Sequence, residues 1–472
     1  MAQEEVRQAR TALLQLQLAR ADSLLSFETD SKEVEALVAY HQAYIPFLSV
    51  LLSDGPDGSD AFFERSDAAR RLLDDTPNTS WFRWISAEVE IQRTLVWAKK
   101  GEYLRAALAA NAAWQLLNDL LEDDPSFAEA QKGIGLLHLA LGTLPRRFRR
   151  LLGFFGYKGS LEQGLAELKT ASTTSTYGAE EALIVLATVD KFGFPSTVVA
   201  TDVYQDLWQE LEGSPLIGLL FADALIRDRR PEAAIEIVVA SRTFAEESGA
   251  EYVGYLDYYE GEALFRLNRC EESAGTLERY VEQHQGPSLK LAAIVMIAQC
   301  HEIMGDRVGA TSWYAMVTDS RGFAEEGAAV RLAARRAEHP MTQTEAELLK
   351  ASNLFNSRND VQADSLFRAV LGSGESDATL LAEAKYGLGR IDHESGNLEQ
   401  ALSAYSLVLD SGADPQSKWI PFSMMHSAHI NASLGNVARA EELVDAIDDI
   451  RADYDFKSAV ENRARLIKES LF

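Results

Sequence analysis

The chain has 472 residues, with 45 Lys+Arg against 72 Asp+Glu and a formal net charge of −27. Hydrophobic residues at 47% and charged residues at 25% are the balance of a folded globular protein and exclude a disordered one. This acidity disfavours nucleic acid and anionic membranes, whose phosphates repel it, and two cysteines, Cys270 and Cys300, are too few for a disulfide framework or a thiolate zinc site.

The N-terminus, Met1-Ala2-Gln3-Glu4-Glu5, has neither the basic nor the apolar part of a signal peptide. No apolar run comes near the ~20 residues that a membrane span needs, so no transmembrane segment is expected. The chain therefore reads as soluble. It is cytoplasmic, or periplasmic if Met1 stands where a signal peptide has been removed. Only 13 of the basic residues are lysines. A Lys-poor, acid-rich surface suits either a high-salt habitat or general solubility.

Leu13, Leu14, Leu16 and Leu18 open the chain with helical spacing, and Asp54-Gly55-Pro56-Asp57-Gly58-Ser59-Asp60 follows as a loop by its turn chemistry. A period then emerges, in which a small residue is followed four positions later by a second core residue, usually bulky. The pairs are Ala106/Ala110, Ala234/Val238, Ser273/Leu277, Ala310/Tyr314, Ala363/Phe367, Ala401/Tyr405 and Ala440/Val444. From Ala234 onward the first members lie 39, 37, 53, 38 and 39 residues apart. Five residues before each stands a turn-type or polar residue: Gly101, Arg229, Asn268, Gly305, Arg358, Gly396 or Gly435. Twelve residues before, a small residue recurs: Thr94, Ala222, Gly261, Ala298, Ala351, Gly389 and Ala428.

That is the pattern of stacked helix–turn–helix units. The early small residue admits the second helix, the turn residue ends the first helix in a left-handed cap, and the late small residue receives the next unit. The expected fold is all-α: a right-handed superhelical solenoid of about ten to twelve tetratricopeptide-like helical hairpins. Phe192-Gly193-Phe194-Pro195-Ser196 breaks one helix pair, and the 53-residue gap marks a second interruption. Residues 1–320 are expected to form an N-terminal array, 321–342 an irregular helical connector and 343–472 a C-terminal array.

Residues 133–172 hold a run of their own. A helical Gly133-Ile134-Gly135-Leu136-Leu137-His138 leads to Leu144-Pro145, then to Arg146-Arg147-Phe148-Arg149-Arg150, then to Leu151-Leu152-Gly153-Phe154-Phe155-Gly156, and Gly159-Ser160 precedes Gly164-Leu165. Pro145 can open a helix, and Gly153, Gly156 and Gly159 allow tight passage of the chain. Arg146, Arg147, Arg149 and Arg150 are the densest basic cluster in an acidic chain. They read as a patch for an anion or acidic partner, or as internal ion pairs with Glu122, Asp123 and Asp124. The segment resembles the hallmark of the tetratricopeptide-repeat protein 39 family, which includes the yeast inclusion-body clearance protein, although a single proline and Ser160 stand where that family has Pro-Pro and Asp. The resemblance implies a non-enzymatic, all-helical interaction protein, with links in eukaryotes to aggregate and lipid-body handling.

Chemistry-bearing motifs are missing. There is no P-loop and no Gly-x-Ser-x-Gly elbow, and His301-Glu302 and His393-Glu394 lack the second histidine of a zinc protease. His426 and His429 could share a metal, but read better as structural. The acidic run from Glu441 to Asp455 lacks the spacing of a calcium loop. No cofactor, metal or catalysis is expected.

Function then rests on the concave surface. Counted from the early small residues, the inner positions are Arg227, Glu262, Arg266, Gln299, Arg390, His393 and His429, with Tyr258 and Tyr386 one turn earlier. Tyrosines beside arginines suit a binding hot spot, or fill gaps between helices. The expected partner is a protein or extended peptide, with a bacterial envelope ligand-capture protein of helical-repeat type as the alternative. The end repeats, with Leu466, Ile467, Leu471 and Phe472, either cap the array or join two copies.

Overall fold

The computed structural model describes residues 2–53, 58–143, 157, 159–192, 197–251, 253–284, 286–318 and 327–471. Among them are twenty-four α-helices and no strand. The first ten are α1 (Ala2–Leu14), α2 (Leu18–Leu24), α3 (Lys32–Ser53), α4 (Ser59–Asp74), α5 (Ser80–Lys99), α6 (Tyr103–Asp123), α7 (Ala130–Thr143), α8 (Leu161–Thr174), α9 (Ala179–Thr188) and α10 (Ala200–Glu210). Then come α11 (Pro215–Arg227), α12 (Pro231–Ser248), α13 (Tyr255–Arg266), α14 (Cys270–Gln283), α15 (Lys290–Met304), α16 (Arg307–Thr318) and α17 (Gly327–Glu338). The last seven are α18 (Gln343–Phe355), α19 (Asp360–Gly372), α20 (Ala378–Glu394), α21 (Leu398–Leu409), α22 (Trp419–Ser433), α23 (Val437–Asp448) and α24 (Lys457–Ser470).

The helices pair as antiparallel hairpins, each packed on the next, and the first helices also touch one another: α3 on α5 on α7 on α9, α11 on α13 on α15 on α17, and α18 on α20 on α22 on α24. This inner row makes the solenoid. Local chemistry sets the starts. Thr79, Ser160, Ser214 and Thr342 cap helices by accepting a backbone N–H, and Thr342 with Glu345 closes a full capping box.

All seven turn positions read from the period are left-handed, with φ between 56° at Arg358 and 82° at Gly305. The small residues twelve positions earlier are buried except the half-buried Thr94. Their size matters: a Cβ on Gly261 would meet Leu277 Cγ at 2.5 Å, and one on Gly389 would meet the Tyr405 ring at 2.7 Å. The two cysteines, on α14 and α15, are buried free thiols.

Three of the seven turns lack glycine, and their side chains join the two halves of the chain. Arg229 donates to the Phe355 carbonyl at 2.6 Å and to the Asp360 carboxylate. Arg358 returns the contact, donating to the Asp228 carbonyl at 3.0 Å and carboxylate at 2.7 Å. Asn268 donates to the Lys350 carbonyl, and Asn353 to Asn268 and the Phe265 carbonyl. Helix α18 therefore packs on α13. Helix α17, inside the stretch expected to be a helical connector, ties Arg336 to Glu345 and Arg331 to Asp455.

Among the described residues one helix bears on the expectation of no transmembrane segment without overturning it. Helix α3 has 22 residues with a mean hydropathy of 1.3 over its most apolar window, which is long and apolar enough to cross a membrane by length and composition. In this fold 56% of that window is buried, and the helix packs on α4 and α5. The centres of both predicted loops, 54–57 and 193–196, lie outside the described residues.

The glycines of the family-like segment explain its tight spacing. Helices α7 and α8 cross backbone to backbone: a Cβ on Gly164 would lie 2.5 Å from the Leu139 amide nitrogen and 2.7 Å from the Gly135 carbonyl oxygen. Gly164→Ala is expected to cost about 1–3 kcal/mol in urea unfolding, because backbone rather than a side-chain tip must move. Gly275→Ala, in the middle of α14 with nothing near its Cβ, is expected to stabilise by about 0.5–1 kcal/mol. Equal effects at the two positions would refute the backbone-crossing account.

Candidate functional site

The inner face of the first hairpins is already filled. Helix α1 packs on α3, and it shares its clusters with later helices: Val6 and Ala9 belong to one with residues of α3, α5 and α7, and Leu13 and Leu14, with Leu16 just beyond the helix, to one with residues of α10, α11 and α13. Ser214 donates to the Leu14 carbonyl at 2.6 Å, Gln15 to the Leu211 carbonyl, and the Glu251 amide to the Leu16 carbonyl. Beneath α1 lies a buried ionic cluster. Arg10 grips Glu180, and Lys132 sits between Glu88, at 2.6 Å, and Glu181. Burial opposes the charge on Lys132 and Arg10, but the carboxylates hold both cationic. Burial also opposes charge on Glu181, which Lys132 and Arg10 keep ionised, whereas burial raises Glu88. Two cations and three carboxylates face one another there, so the groove can close over the cluster with each cation matched.

Arg10→Ala is expected to destabilise the protein by about 3–5 kcal/mol, since it strands a buried carboxylate. It should also open α1 to trypsin while the C-terminal hairpins stay resistant. Unchanged urea unfolding would mean that α1 is held by its leucines alone.

The residues chosen from sequence divide into three sets. In the first, Arg227 pairs with Asp223 at 3.3 Å, and Arg266 with Glu262 at 2.8 Å. Gln299 is half-buried on α15. Tyr258 is 6% exposed, packed against Tyr259 and Tyr280, and presents nothing to solvent. Leu219, Val295 and Met425, at the equivalent position, are buried as well. That position meets neighbouring helices and does not face a groove. The third set, Arg146, Arg147, Arg149 and Arg150, lies outside the described residues. Of its candidate acidic partners, Asp123 pairs with Arg83 at 2.7 Å and Asp124 accepts from Ser80 and Ser126.

The second group converges. Tyr386 on α20 meets His426 on α22 at 3.1 Å, and Arg390 donates to the Tyr386 hydroxyl at 3.4 Å and to Glu394 at 2.8 Å. His393 has the rings of His426 and His429 at 5.6 and 6.1 Å. Arg390 and Arg229 both lie over the Phe355 ring, at 5.2 and 3.9 Å. Burial would depress the Arg390 guanidinium, but Tyr386 and Glu394 raise it. Among the described residues no set of three or more His, Cys, Asp or Glu is placed to hold a metal ion. Sequence reasoning missed the rest of this face: Lys418, Trp419 and Phe422 on the start of α22, Phe456 before α24 and Arg463 on α24. Phe422 and Trp419 lie one and two turns before His426, on the same helical face, which is the signal that could have found them.

His426 is held neutral, first by burial and then by Arg390, with His393, Arg463 and His429 adding to it; burial and Arg390 also lower His393. A histidine lowered in the fold binds its proton more readily when unfolded. Its stabilisation is complete above the unfolded value near 6.5 and is lost as pH falls through the folded value. His41, on α3 beside the buried cluster, is lowered by burial to about 4 and acts in the same sense. The thermal midpoint is expected to fall from pH 7 toward pH 5, and His426→Gln should flatten that slope. An identical slope in the variant would show that His426 is not a source of it.

Comparison with known proteins follows this geometry. Residues 128–213 match the model of the family described as Iml2/Tetratricopeptide repeat protein 39. Over those residues the chain is similar to repeat proteins of the tetratricopeptide type. The match spans α7 to α10, including the glycine crossing, and falls well short of half the chain. No curated protein matches. Among solved structures, a human IFIT1 dimer with m7Gppp-AAAA is 12% identical, covering 99% of each chain with a TM-score of 0.32. The APC/C hetero-tetramer Cut9–Hcn1 is 14% identical, covering 98% of this chain and 90% of that one with a TM-score of 0.29. Aspartyl phosphate phosphatase F from Bacillus subtilis is 15% identical over 87% and 94%, with a TM-score of 0.25. At such scores these overlays carry no argument about function.

Proposed function

We propose that this chain is a non-catalytic scaffold that binds a protein or extended peptide along the inner face of its C-terminal hairpins, α18 to α24. One observation carries the reading. The inner face of the first hairpins is occupied by the chain's own α1, so that groove already has its helix, whereas the inner face of the last hairpins leaves His429, Phe456 and Arg463 exposed. In this reading residues 1–320 are a closed support, the stretch 321–342 divides the chain and 343–472 carries recognition. The net charge of −27 weighs against nucleic acid as the partner.

Selection of random extended peptides on the immobilised full chain tests this. Binders are expected to lose about tenfold or more in affinity, about 1.4 kcal/mol, on Arg390→Glu or His429→Glu. They should be unaffected by Arg227→Glu, on the first group. The reading is overturned when no peptide is enriched, or when binders are indifferent to both C-terminal substitutions.

A further inference from the structure

Resting on that reading, we infer that the C-terminal groove recognises a segment in which an aromatic side chain lies next to carboxylates. Phe456 is 54% exposed, yet it is held in the left-handed region at φ 66°. A bulky residue keeps that conformation only where its surroundings enforce it. Here its ring stacks on Phe422 at 6.4 Å, and Phe422 stacks on Tyr386 at 6.1 Å. Trp419 closes on the same tyrosine at 5.0 Å. The result is a fixed aromatic surface with one open end, suited to one further ring, and such ring pairs contribute about 0.5–1.5 kcal/mol beyond their area.

Charge selects what accompanies that ring. The amine of Lys418 lies 4.6 Å from the Trp419 ring and 5.5 Å from that of Phe456. Arg463 projects from α24, its charge reaching Tyr386 and His426. On α23 and α24 the other cations, Arg439, Lys457, Arg465 and Lys468, each have a carboxylate within 4.0 Å. Lys418 and Arg463 have none among the described residues. Glu383, whose carboxyl feels the charge of Lys418, is pushed up to about 7 by burial, so it supplies only part of a charge at neutral pH. Two uncompensated cations flanking an aromatic surface, in a chain that repels anions elsewhere, complement a ligand that is acidic and aromatic at once.

The test uses the full chain and three fluorescein-labelled peptides of equal length: acidic with tryptophan and phenylalanine, basic with the same aromatics, and acidic with leucine in their place. Fluorescence anisotropy is expected to show the first binding about tenfold or more tighter than either of the others, and weakening from about 50 to about 300 mM salt. Phe456→Gly, which relieves the left-handed strain and so keeps the fold, should remove the aromatic preference. Lys418→Glu with Arg463→Glu should shift preference to the basic peptide. Equal or better binding of the basic or leucine peptide to the native chain overturns the inference; if that binding still depends on Arg390 and His429, the groove reading survives. Self-association abolished by Phe456→Gly, without peptide binding, would make a second copy the occupant and overturn it too. Failure of every peptide, with no self-association, removes both.

Discussion

Every hairpin read from the period turns through one residue in the left-handed conformation, and the stack depends on it. The turn sets where the second helix begins, so the small residue on the first helix faces the small residue on the second and the pair can close. Glycine is the cheap solution, since any other residue carries a cost of about 1–2 kcal/mol there. Four of the seven turns use it. The three that do not, at Arg229, Asn268 and Arg358, lie where two arrays meet, and each side chain makes a contact across that junction that glycine has no atoms to make. Strain is tolerated where a side chain returns more than it costs.

The same logic accounts for α1. A row of first helices leaves an inner surface that is only part covered, and in the first array that surface includes Glu88, Lys132 and Glu181, which are costly to bury unless matched. Helix α1 brings leucines for the apolar part and Arg10 for the polar part. The helix that fills the groove is thereby also the counter-ion of the groove. The array and its occupant share one core, and the hydrogen bonds of Ser214 to the Leu14 carbonyl and of Gln15 to the Leu211 carbonyl, some 200 positions apart, are the measure of that.

These two facts explain what could be read from the sequence. The period, the turn residues and the small residues are local rules repeated many times, and each survives in the structure: all seven turns are left-handed and all seven leading alanines or serine are buried. The docking of α1 was not legible, because it occurs once and has no repeat to reveal it. Nor were Leu219, Tyr258, Val295 and Met425 separable from groove positions, since the first helices touch each other and bury the side of the helix that a counting rule assigns to solvent. Tyr386, at the same register, escapes full burial because the next first helix brings Trp419, Phe422 and His426 against it and leaves its edge accessible. Phe456 was invisible for another reason: it precedes α24, which falls outside the seven pairs that define the period.

Charge usage follows from the packing as well. Arginine outnumbers lysine by more than two to one, and the structure gives that ratio a mechanical reading. Arg229, Arg307, Arg336 and Arg358 each span a backbone carbonyl and a carboxylate at a junction between hairpins. The planar fork of a guanidinium can serve both acceptors at once, where an ammonium offers a point charge. In such a chain a cation is normally part of a joint. Lys418 and Arg463 have no carboxylate partner among the described residues and stand beside exposed aromatic surface, where a bare positive charge lowers the cost of bringing a carboxylate in.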